Sequence, residues 1–280
     1  MGDKTTLDAG ALANHKTRDV VGRRPWFTER AIIGAASLLG FLLVWEIAFR
    51  FSWVNPLFIS SPIKVVRAAS EVFASAEFRG DLATSGTEFL VGYLMAIAVG
   101  VPLGMAVGWY KRLYFALSPF IHTLNTIPRI TLLPVIIIWF GIGIWSIIFV
   151  VFLGAVIPIL ISTYAGVRTS EERFLRVARS FSASQGRILR TIVLPGTVPF
   201  IFTGLKYGSG RALLGVIVGE LYASTAGIGY FIASAGNAFQ TDKMLVGVLI
   251  VVVTGVVTME ALNRIERRFD RWRPRVGSTE

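Results

Sequence analysis

A chain of 280 residues is long enough for one or two water-soluble domains, but 54% of it is hydrophobic and only 16% is charged. That composition excludes a soluble globular protein and indicates one embedded in a membrane. The formal net charge of +11 would suit a nucleic-acid binder, yet the basic residues sit in short segments beside apolar runs, where the positive-inside rule accounts for them. The absence of cysteine excludes disulfides, thiolate chemistry and thiolate-held metal.

In chain order, residues 1–30 are polar, of mixed charge and without periodicity, and are expected to form a disordered cytoplasmic tail. Arg23, Arg24 and Arg30 precede the first apolar run. A secretory leader would have shorter n- and h-regions and a small-residue cleavage site, so residues 31–49 predict an uncleaved transmembrane helix. Glu46 and Arg50, at i and i+4, predict a local ion pair near its outer end. Residues 51–81 complete a first unit as an outer connection. NPLFISSP is held extended by its prolines. Ile63, Val66, Ala69, Val72 and Phe73 then predict a short amphipathic helix, with Lys64, Arg67 and Arg79 balanced by Glu71, Glu77 and Asp81.

Residues 82–262 predict a core of five more spans. In the second, about 82–110, Gly100, Gly104 and Gly108 form a small-residue stripe that lets helices approach closely. The third, about 113–140, is interrupted by Pro119, Pro128 and Pro134. A broken helix is tolerated in a bilayer only where protein or a water-filled cavity satisfies its backbone. The fourth, about 145–167, carries Pro158. The fifth, about 196–221, carries Lys206, Arg211 and Glu220 and a second small stripe at Gly204, Gly208 and Gly215. Residues 223–240 are too short and polar to span, and the sixth span covers about 244–262. Residues 263–280 form a basic tail. Both termini, the Lys111–Arg112 turn and the 169–195 segment then share the cytoplasmic side.

The segment 169–195 is polar and basic between apolar spans. Thr169 and Glu172 have capping-box spacing. Phe174, Val177, Ala178 and Phe181 recur at i, i+3, i+4 and i+7, giving one apolar face. Ser182 to Ser184 break the pattern and can cap a second short helix over about 185–193. Pro195 can then open the next helix. Patterning alone leaves two readings: an amphipathic pair lying on headgroups, or helices held out of the membrane for a partner.

No phosphate-binding loop of the G-x4-G-K-[ST] type and no H-E-x-x-H motif is present, so the chain shows no ATP site of its own and no paired catalytic groups. His15 and His122 are isolated. The charges within the spans are more informative. Each Arg or Lys near a helix centre costs roughly 2.5–3.5 kcal/mol on insertion scales, and such residues usually face a bundle interior or pathway. Arg129, Lys206, Arg211 and Glu220 are the candidate pathway residues. They either line an electropositive route suited to an anion or are paired structurally.

The 169–195 segment resembles the EAA loop of ABC-transporter permeases, E-A-A-x3-G-x9-I-x-L-P. Arg176, Val177 and Ala178 align with E-A-A, Ser182 with the Gly, and Ile192, Leu194 and Pro195 with I-x-L-P. Arg176, Val177 and Ser182 depart from the pattern; the spacing does not. The resemblance runs from about Trp45 to Trp272 and is nearest to permeases of the nitrate/sulfonate/taurine group. It is carried by NTIPRITLLP (125–134), WFGIG (139–143), TYAGVR (163–168), PFIFTGLKYGSGRA (199–212) and GIGYFI (227–232). It implies an all-α polytopic protein of about six transmembrane helices with the type I importer (MetI-like) fold, in a bacterial inner membrane. It further implies a second permease copy, two ATP-binding cassette subunits on the cytoplasmic side and an external substrate-binding protein. The 169–195 helices would carry the coupling, with no cofactor of the chain's own, and the cargo would be a small anion such as nitrate, a sulfonate or taurine. An ion-gradient-driven transporter and a non-transporting scaffold are the alternatives. The first would more often need intramembrane carboxylates; the second would need neither broken spans nor buried bases.

Overall fold

A computed structural model of the chain describes residues 26–53, 55, 58–169, 176–178 and 180–269. Of the tail 1–30 expected to be disordered, residues 26–30 are instead helical and continue the first span toward the N-terminus. Residues 1–25, the pattern residues Glu172 and Phe174, and the arginines at 271, 273 and 275 lie outside the described residues. All regular structure among the described residues is helical. The helices are α1 (Trp26–Arg50), α2 (Pro62–Ala74), α3 (Ala76–Trp109), α4 (Lys111–Thr126), α5 (Leu133–Phe140), α6 (Ile144–Arg168), α7 (Gln185–Ile188), α8 (Leu194–Ala223), α9 (Ile228–Asn237) and α10 (Thr241–Arg267). Five helical stretches among the described residues are long and apolar enough to cross a membrane, and the pair α4 and α5, bent by 94° at the break between them, makes six if it is one broken span.

The core is α6 held between α3 and α8. Ile147, Val151, Ala155 and Ile159 of α6 are fully enclosed by Phe89, Tyr93 and Ala96 of α3 and Ala212 and Val216 of α8. Water does not drive apolar helices together inside lipid, so close packing of small residues must do it. Both expected glycine stripes lie on these seams. A Cβ at Gly104 would sit 2.7 Å from Thr163 Cβ, and one at Gly204 2.9 Å from Ser162 Cβ. A single added methyl at either site would push the helices apart. The Tyr93 hydroxyl, in the same seam, donates to Leu205 O at 2.7 Å.

The third span breaks at only one of its three prolines. Pro119 stays within continuous α4, and Pro134 lies in the first turn of α5, where its missing N–H is tolerated. The chain bends at Ile127–Pro128, before a 3₁₀ turn over Arg129–Leu132. Residues Gly141 and Gly143 of the WFGIG motif then take φ of +78° and +135°, in the left-handed region that favours glycine, to turn α5 into α6. Gly143 N donates to Ala223 O at 3.1 Å, tying this corner to the end of α8.

The amphipathic helix after the first span is present as α2; of the expected face Val72 is buried and Ala69 half-buried, but Val65 and Ala68 complete the inward side in place of Ile63, Val66 and Phe73. Val66 is 71% exposed, and Ile63 and Phe73 are also exposed. The apolar pattern is dense enough to fit two stripes one residue apart, and packing against Ile228 and Val246 selects the other one. The Glu46–Arg50 pair forms as expected, at 2.9 Å.

Candidate functional site

The break in the third span opens a cavity of about 380 Å³ between the Asn125–Leu133 turn, α6 and α8. Arg129 and Arg211 both line it, with Asn125 and the small residues Gly154, Gly215 and Gly219. Arg129 is there because the 3₁₀ turn begins at the bend. Arg211 is there because α8 runs close to α6: a Cβ on Gly154 would lie 3.1 Å from Arg211 O. Arg211 Nη2 donates to Tyr207 Oη at 2.8 Å, one turn earlier on α8. No carboxylate is among the lining residues. Two guanidinium groups thus share a small cavity with no carboxylate among its lining residues, at the bend of the broken third span. An anion is the ligand this arrangement can hold, because planar guanidinium groups pair well with sulfonate, phosphate or carboxylate oxygens.

The other two candidate pathway residues lie elsewhere. Lys206 is absent from the cavity lining and pairs with Glu266 of α10 through Nζ and Oε2. Of the two alternatives for this residue, the geometry is that of a paired charge. Glu220 is fully buried on the opposite side of α8. Its Oε1 accepts from Ser85 Oγ at 2.5 Å, and its Oε2 from Gly229 N at 2.6 Å. Asp81 Oδ1 accepts from Gly227 N at 2.7 Å, and Ser85 Oγ from Ile228 N at 2.8 Å. Asp81 is therefore no surface counter-charge in the outer connection; it lies buried in this group.

Sequence reasoning missed Ser85 and Glu88. Glu88 is fully buried, and neither of its carboxyl oxygens has a hydrogen-bond partner. The available signal was the spacing of Asp81, Ser85 and Glu88 at i, i+4 and i+7, a polar stripe on an otherwise apolar span.

In the 169–195 segment, α7 starts at Gln185 after Ser184, as expected, though the Ser184 side chain makes no capping bond. A π turn over Leu189–Val193 holds Ile192 and leads into Leu194 and Pro195, in the first turn of α8. Thr169 ends α6, and its hydroxyl donates back to Ala165 O at 2.8 Å. Ser182 has φ +52°, so the position aligned with the motif glycine does take the left-handed conformation that glycine favours. Ala183 N bonds Ala178 O at 3.1 Å across it, the 6→1 bond of a Schellman helix end. Ala178 and Ala183 pack on Val167, Ile188 and Val193 beside Trp109, which joins this segment to the ends of α3 and α6. Arg176 and Val177 face outward, and Phe181 is 82% exposed. The apolar face expected of this helix is thus only partly inward.

Residues 98–271 match the family model described as binding-protein-dependent transport system inner membrane component. The chain is 31% identical over 267 residues to the taurine transport system permease protein TauC of Escherichia coli (strain K12), covering 93% of this chain and 97% of that protein. It is 30% identical over 232 residues to the putative aliphatic sulfonates transport permease protein SsuC of Bacillus subtilis (strain 168), covering 83% of this chain and 84% of that one. Among solved structures, an inward-facing MetNI methionine ABC transporter has a similar fold. The TM-score is 0.61 at 19% identity, over 68% of this chain and 94% of that one.

Proposed function

The chain belongs to the binding-protein-dependent transport inner membrane component family, and from that premise we propose that it carries a small organic anion of the sulfonate or taurine type through a membrane. It is a membrane-spanning permease component of an ABC transporter. In this reading two ATP-binding cassette subunits drive it from the cytoplasmic side, an external binding protein delivers the cargo, and a second copy of the chain completes the pathway. Residues 1–30 and 263–280 are cytoplasmic tails in an inner membrane, 31–81 an added first helix and connection, and 82–262 the transport core.

The observation that carries the anion is the pair Arg129 and Arg211 in one cavity without a lining carboxylate. Cargo oxygens would replace the water that these two cations otherwise hold. Closure of the ATPases on nucleotide would move the 169–195 helices, and the packing of Ala178 and Ile188 on Val167 would pass that motion to α6 and α3. The outward-facing Arg176, Val177 and Phe181 offer the contact surface.

The test is co-purification from detergent with the native 169–195 segment and with that segment scrambled. Recovery of an ATPase subunit by the native segment alone is the expected result. Equal recovery, or none, by both versions would remove the coupling role. A bulky charged residue at Ala178 is expected to act like the scrambled segment while leaving the spans folded.

A further inference from the structure

The GIG turn of the 227–232 motif is where an unusual set of partners meets. The first N–H groups of a helix have no intrahelical acceptor. At the start of α9 three of them, from Gly227, Ile228 and Gly229, are taken by Asp81, Ser85 and Glu220. These come from two other helices, so the cap is also the joint that fixes α9 to α3 and α8. The glycines are required by space. Gly227 has φ +105°, and a Cβ on Gly229 would lie 2.6 Å from Ile217 O. Positive partial charge at the helix start suits one carboxylate at Glu220.

Glu88 does not fit that account. It is fully enclosed, its carboxyl adjoins that of Glu220, and no donor reaches either oxygen. Two ionised carboxyls in one buried site repel strongly, as in carboxylate dyads that share a proton. Glu88 and Glu220 act on each other and Asp81 acts on Glu220, and among the described residues no Lys or Arg is bonded to either glutamate. Around the joint, Val65 and Val72 of α2 and Val246 and Val251 of α10 pack with Ile228 of α9, α9 has no charged residue, and the one charge of α6, Arg168, is at the end of that helix away from Glu220. We propose that Glu88 and Glu220 share a single proton, and that this proton completes the joint holding the start of α9 against α3 and α8. The proton sits on Glu88 and is donated to Glu220, whose other bonds run to Ser85 Oγ and Gly229 N. Its loss leaves two facing anions and opens the joint. Neither glutamate lines the arginine cavity, so the pair positions an end of the bundle and does not touch cargo.

Infrared spectroscopy of the purified full chain in nanodiscs reads the proton directly. A protonated-carboxyl band is expected at neutral pH in the native chain and its absence in Glu88→Gln. A native chain without that band, or a band unchanged in Glu88→Gln, overturns the proposal. If Glu88→Gln yields no stable protein, the native band is titrated with pH alongside hydrogen exchange at Gly227–Gly229, corrected for intrinsic rates. Band loss and faster exchange in step support the joint; exchange indifferent to band loss overturns it. In proteoliposomes with ATPase and binding protein, native uptake is expected to fall as pH rises through the band's transition, by up to about tenfold per pH unit, the slope of a one-proton equilibrium. Glu88→Gln, which cannot lose a proton, is expected to lack that fall; the same profile in both proteins overturns the proposal. The spectroscopic arm does not depend on the import reading: a band without ATP-driven uptake sinks only that reading, and uptake without a band sinks only the shared proton.

Discussion

Helix α8 carries two charged centres that solve opposite problems. Arg211 and Glu220 are nine residues apart, which is about 13.5 Å along the axis and half a turn around it. On one face, Arg211 meets Arg129 in an open cavity and bonds only the hydroxyl of Tyr207. On the other, Glu220 is fully buried and holds a hydroxyl and a backbone N–H. A charge taken into a bilayer is stable only when its lost hydration is replaced. The acidic centre replaces it from within the protein, with helix-start amides and a serine. The basic centre leaves the replacement to water or a ligand. In the proposed reading, a charge of this chain marks structure where the protein supplies its partners and transport where it withholds them.

The acidic centre is expected to show the largest effects when broken. Gly229→Ala places a Cβ 2.6 Å from Ile217 O and 2.9 Å from Glu220 Cβ. Neither contact can yield without moving α9 or α8, so a loss of at least about 1–3 kcal/mol is expected. Glu220→Ala strands the Ser85 hydroxyl and Gly229 N–H, each at about 1–3 kcal/mol when left buried and unpaired. Thermal unfolding in detergent, followed by tryptophan fluorescence, checks both. Unchanged midpoints would mean that this end is not a closed joint, and the contrast between the two faces of α8 would disappear.

The basic centre is expected to behave the other way. Arg129→Gln and Arg211→Gln each remove a charged donor from the cavity and are expected to leave the unfolding midpoint nearly unchanged, since neither cation forms an ion pair among the described residues. A hydrogen bond to a charged group contributes about 1.5–3 kcal/mol, or about 10- to 100-fold in uptake of an anionic cargo. Arg→Lys should recover only part of this, because a point charge cannot make the paired contacts of a planar guanidinium. Initial rates at low cargo concentration are the measurement. Normal rates in both Gln variants would remove the anion from the cavity.

Sequence legibility followed the same division. Spans, stripes and the broken third helix were readable because hydropathy, glycine spacing and proline are local signals, and Arg129 was placed at its bend for that reason. The Schellman end at Ser182 was marked by alignment with a glycine. The acidic centre was not readable. Asp81 and Ser85 lie more than 130 residues from their partners Gly227, Ile228 and Glu220, and nothing local says that a carboxylate near one span caps a helix after another. Local pattern therefore reads Asp81 as a loop charge, leaves Glu220 without its partners Ser85 and Gly229, and does not single out Glu88. The face of α2 was misplaced for a related reason: two stripes fitted the pattern, and only Ile228 and Val246 decide between them.

Lys206 sharpens the contrast, because it is a second cation on α8 only five residues before Arg211 and is paired. Its ammonium meets Glu266 of α10, with side chains 23% and 11% exposed. By the rule drawn from the two faces, a paired charge is structural, so Lys206→Met should leave uptake and its dependence on Arg129 unaltered. The pair is only partly enclosed, so the stability lost should fall between the values for surface and buried ion pairs, about 1–2 kcal/mol. Glu266→Gln in the Lys206→Met background should then cost little more, since the interaction is already gone. Thermal midpoints of the two single variants and the double variant give the coupling, and uptake by Lys206→Met gives the assignment. A fall in uptake as large as that of Arg211→Gln would extend the pathway one turn along α8 and show that pairing in the resting structure does not exclude contact with cargo.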